Sequence, residues 1–149
     1  MEIVSALFAE NIELRQVPGP STRIDLLGIM FSMSAPSPPP VTVTPHLIVL
    51  VRCRPDEEGQ GILEVVFRNE QGEQVARNVS PFQVEPGKFT YRLVRGELEF
   101  PQLGTIEAHC RLLPDGLPTV VPLTLLSPVC YGPLRPGQPG GRHVGRVSP

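Results

Sequence analysis

Apolar and polar residues alternate along most of this chain in short runs, punctuated by turn-forming residues roughly every 8–12 positions, the pattern of an antiparallel sandwich or barrel. In GILEVVFRNEQGEQVARNV, Leu63, Val65 and Phe67 share one side of an extended chain, while Glu64 and Arg68 share the other. NEQGEQ then predicts a hairpin turn into a strand near 74–79. VEPGKFTYRLVR repeats the scheme: Pro86-Gly87 makes the turn, Phe89, Tyr91 and Leu93 are expected to point inward, and Thr90 and Arg92 toward water. TPHLIVLVRC differs in being apolar on both faces from Leu47 to Val51, which places it at the centre of a sheet or beneath a covering loop. The opening MEIVSALFAENIEL predicts a first strand, and ENIELRQVPGPSTRIDLLGIMFSM two strands, 11–15 and 24–32, across a Gly-Pro turn. TVVPLTLL predicts a last strand, at an edge because Pro122 cannot donate to a ladder.

Helical periodicity is nowhere sustained. The fold class that follows is all-β: a single-domain antiparallel β-sandwich of the Ig-like or Greek-key type, with about eight or nine strands over residues 1–126. SAPSPPP at 34–40 is expected to be an extended polyproline-II connection between the sheets. It also has the form of a ligand for an aromatic groove, a role secondary to that of a strap. Residues 127–149 hold five prolines and five glycines and are expected to be a disordered basic tail, because so little apolar surface cannot offset the entropy of ordering.

Charge sharpens this division. The chain carries a formal net charge of −2, but the three arginines after Ser127 (Arg135, Arg142, Arg146) have no acid among them, so residues 1–127, with ten bases and fifteen acids, stand at −5. An acidic body with few aromatic platforms argues against a nucleic-acid-binding face. The N-terminal segment lacks the basic start of a signal peptide, and no apolar stretch approaches the ~20 residues of a membrane helix, so a soluble, cytoplasmic protein without membrane contact is expected. Three cysteines without paired spacing (Cys53, Cys110, Cys130) suit free thiols in a reducing compartment.

Candidate chemistry is sparse. EAHC sets His109 beside Cys110, but neighbours on a strand face opposite ways: Cys110 falls with Ile106, Ala108 and Leu112, and His109 with Glu107 and Arg111. His109 therefore cannot serve as base for Cys110, which is expected to be an inert core residue. A metal site has only His46, Glu107 and His109 to draw on, without HxH, HExxH or CxxC spacing. Asp56, Glu57 and Glu58 in RPDEEGQG are expected to form a solvated turn rather than a calcium site. NVS at Asn78 is treated as a chance glycosylation motif. The serine-hydrolase, P-loop and dinucleotide signatures are absent, and no cofactor is expected.

ALFAENIELR, LLGI, PHLIVLVRC, NEQGE, PGKFTYRL and LGTIEAHCRLLPDG together resemble a group of small bacterial β-sandwich proteins of unknown function, over roughly residues 5–126. Thr105-Ile106 stands where those proteins tend to carry an aromatic after the turn glycine. The resemblance implies one sandwich domain, often intracellular, and supplies no site residues. Twelve arginines against one lysine also suit a bacterial source with a GC-rich genome. The function expected is a non-enzymatic interaction module acting on an unidentified protein partner through an exposed edge strand, or associating with itself. The alternatives are a ligand- or metal-binding sandwich using His46, Glu107 and His109, and a hydrolase in which Asp56, Glu58, His46 or His109 would line one pocket.

Overall fold

A computed structural model describes residues 1–19 and 21–128. The described residues form eleven strands: β1 (Glu2–Gln16), β2 (Thr22–Met30), β3 (Ser32–Ser34), β4 (Val41–Val43), β5 (His46–Arg52), β6 (Gln60–Arg68), β7 (Gln74–Gln83), β8 (Phe89–Arg95), β9 (Leu98–Phe100), β10 (Gly104–Leu113) and β11 (Thr119–Leu126). One sheet has the order β2-β1-β5-β8, the other β3-β11-β10-β6-β7, and β4 and β9 pair as a separate two-stranded ribbon. All pairings are antiparallel except the short β3–β11 contact. The expected all-β sandwich is thus present; residues 129–149, and with them Cys130 and most of the predicted tail, lie outside the described residues.

The core lies between the sheets. Ala6, Phe8, Leu47, Val49 and Val51 from one side meet Leu63, Val65, Phe67, Ala108, Cys110 and Leu123 from the other. Leu47, Leu63 and Phe67 are 1% exposed or less, and each such side chain contributes on the order of 1.5–3 kcal/mol through burial. The turns follow their residues. Gly87 and Gly72 take φ of +82° and +80°, which a side chain would strain, so the glycine at each tip permits the reversal. Lys88 N–H closes the first turn on Glu85 C=O at 3.0 Å, and Asn69 Oδ1 accepts from Gln71 and Glu73 N–H at 3.1 and 2.9 Å in the second.

Three expectations are corrected. The expected strand 11–15 is not separate from the first: β1 runs unbroken to Gln16, because beyond Ala9 it leaves β5 and continues with β2 as a two-stranded ribbon, Leu14 opposite Ile24 and Arg15 opposite Arg23. The predicted strand 24–32 is divided, β2 ending at Met30 and Ser32 opening β3 in the other sheet. In β8 the expected faces are reversed. Val94, paired with core Leu47, is 3% exposed, whereas Phe89 and Leu93 are 63% and 46% exposed. The partner strand decides this: Leu47, Val49 and Val51 already face the core, so Val94, Arg92 and Thr90 opposite them must face the same way. Pro122 does sit on an open flank, since β3 pairs β11 only at Thr124 to Leu126.

Candidate functional site

Strand alternation separates the cysteine and histidine of EAHC as expected. Cys110 is fully buried, and burial pushes its thiol up to about 12, so it carries no thiolate at neutral pH. His109 lies on the outer face of the five-stranded sheet, its Nε2 3.0 Å from Glu107 Oε2. His46 lies on the outer face of the other sheet, in β5. Arg95 donates to its Nε2 at 3.1 Å, and its Nδ1 lies 3.1 Å from Glu10 C=O, which engages both ring nitrogens. The candidate metal set of His46, Glu107 and His109 is therefore not assembled: two members are neighbours and the third stands across the sandwich. No cluster of three metal-binding side chains occurs among the described residues.

The hydrolase set fares no better, because none of Asp56, Glu58, His46 and His109 lines the cleft of about 580 Å³ between the β4–β9 ribbon and the β6–β7 turn. Glu57 in the same loop as Asp56 and Glu58 pairs with the amino group of Met1 and accepts Arg54 N–H at 2.8 Å, so this acid ties down the turn. Asn78 is half-buried and paired opposite core Val65, a poor acceptor for a glycan.

Two features escaped sequence reasoning. The first is Glu64, which the alternation places outside and which is nevertheless 2% exposed. Arg77 donates Nε and Nη2 to Glu64 Oε1 at 2.9 and 2.7 Å, and Arg111 Nε donates to Oε2. The two guanidinium groups, one from each neighbouring strand, roof the carboxylate and hold its pKa below the usual carboxylate range.

The second is the apolar patch that extends from β5, whose two-sided burial the sequence predicted, across the outer face of the four-stranded sheet. Ile48 lies on it between Leu7 and Leu93, outside the main core, yet is 1% exposed. Leu50, Tyr91, Ile29 and Leu27 extend the same apolar surface, with Leu93, Ile29 and Leu27 each at least 46% exposed. One edge of this sheet is guarded: Arg92 on β8 points inward opposite Val49, and its Nε has no hydrogen-bond partner among the described residues. An inward charge on an edge strand disfavours pairing with another strand, so the face is the better surface for contact.

A cleft of about 580 Å³ lies at one end of the molecule, between the β4–β9 ribbon and the β6–β7 turn. Val41, Val75, Phe100 and Ile106 form its apolar wall; Glu70 and Glu99 supply carboxylates. Glu70 Oε1 accepts Thr105 N–H at 2.9 Å. These residues come from four separate segments, which is why no local motif announced them. The described residues contain no helix, and so none long and apolar enough to cross a membrane. Comparison of the chain with protein-family models and with curated proteins finds no match.

Proposed function

We propose that this chain is a non-enzymatic interaction module that binds a protein partner, or a second copy of itself, through the outer face of the four-stranded sheet. The observation that carries this is the second apolar cluster, in which Ile48 is buried by Leu7, Leu93 and their neighbours although no described element covers that face. Apolar surface grouped in this way gains free energy when a partner removes it from water, about 25 cal/mol per Å². The cytoplasm is the compartment that suits the unpaired, buried thiols of Cys53 and Cys110.

The test is affinity capture from the native cell with the unmodified chain and with Ile29→Glu/Leu93→Glu, together with the self-association of each purified protein. We expect one defined partner, or a dimer, that the double variant loses while keeping its far-ultraviolet circular dichroism. Capture and self-association indifferent to the substitutions would refute the proposal. The metal alternative has no support from the placement of its three residues.

A further inference from the structure

We infer that the acidic cleft is a docking site for the chain's own arginine-bearing segment, residues 129–149. Charge is the first observation. The cleft walls combine apolar Val41, Val75 and Phe100 with polar Asn69, Gln71 and Gln102 around Glu70 and Glu99, and no Arg, Lys or His lines them among the described residues. Glu99 takes no part in the ion pairs of the described residues, and Glu70 gives one oxygen to Thr105 N–H. A carboxylate in a cleft whose described lining holds no cation is well placed for a guanidinium, which forms paired charge-assisted hydrogen bonds. The segment 129–149 supplies Arg135, Arg142 and Arg146, no acid, and apolar Leu134, Val144 and Val147 for the walls.

The second observation is where the described chain ends. β11 runs toward the cleft: Leu125 pairs with Gly104, which lines the cleft, and Leu126 O accepts Ala35 N–H at 2.9 Å beside it. Paired strands lie about 5 Å apart. Arg135 follows Leu126 by nine residues, about 30 Å of extended chain, more than the cleft mouth requires. A segment tethered at the rim meets the site at high effective concentration, which favours it over a free peptide of equal affinity. The site is separate from the outer sheet face, so each proposal fails or holds without the other.

Tryptic cleavage after Arg142 reads this contact directly in the full chain, with a synthetic peptide of residues 129–149 as the unprotected standard. Arg135 precedes a proline and is not a competing site. In low salt the intact protein should be cut about tenfold more slowly than the peptide, and about 0.5 M sodium chloride, where the screening length falls to roughly 4 Å, should abolish most of that difference. Glu70→Gln/Glu99→Gln, which keeps an acceptor for Thr105 N–H, should lose the protection in low salt, and Leu93→Glu should retain it. Equal rates for protein and peptide in low salt, or protection that survives the double substitution, would overturn the inference. Protection that grows with protein concentration would assign the segment to a second copy and overturn docking within one chain.

Discussion

At the scale of single residues, Glu64 shows how burial and charge combine on a surface that alternation marks as polar. Its side chain is covered by Arg77 and Arg111, and both carboxylate oxygens are used. Because its pKa is lower in the folded than in the unfolded chain, its stabilising contribution is complete above the unfolded value. It is lost as pH falls through the folded value. We therefore expect the thermal midpoint of Glu64→Gln to lie below that of the unmodified protein at pH 7, and the gap to narrow as pH is lowered below the ordinary carboxylate range. Melting curves across that range check this, and a gap independent of pH would refute it. Sequence reasoning placed Glu64 on the correct face but had no means of seeing its cover, since Arg77 and Arg111 lie 13 and 47 residues away in the chain. Cys110, by contrast, needed only its own strand: two-residue periodicity sends it inward whatever its neighbours are.

At the scale of elements, β8 is the instructive strand. FTYRLVR has apolar residues at alternate positions and then Val94 beside Leu93, so its pattern admits two registers, and the apolar count favours the one with Phe89, Tyr91 and Leu93 inside. Pairing with β5 selects the other, because Val94 opposite Leu47 completes the core. The registers predict opposite outcomes. Val94→Asp should unfold the protein or lower its stability by several kcal/mol, by placing a charge in the core where Val94 contributed about 2 kcal/mol, whereas Leu93→Asp should change stability by less than about 1 kcal/mol. Urea denaturation of the two variants decides between them. The β1–β2 ribbon makes a related point. Its residues past Ala9 have no third strand and expose Leu14 and Leu27, yet they remain paired at six cross-strand positions from Asn11 to Gln16. The exposed Arg15–Asp25 ion pair at 2.8 Å adds little to this, because both side chains are solvated.

At the scale of the molecule, most stabilising pairings join distant segments: β1 pairs β5, and β10 returns to lie beside β6 after three intervening strands. Closing such loops costs entropy before any contact offsets it, so folding should occur in about milliseconds to seconds, as stopped-flow refolding would show; microsecond folding would contradict this topology. Only local rules are needed for much of the fold. Period-two alternation, the glycines and prolines of the turns and the absence of helical spacing determined an all-β sandwich, the two-sided burial of β5 and the inward Cys110. Those signals act over a few residues and are written in the chain itself. The register of β8, the roof over Glu64, the separation of His46 from His109 and the cleft between Glu70 and Glu99 were decided by tertiary structure alone. Each depends on which strand lies beside which, and that choice is made by the packing of the whole core.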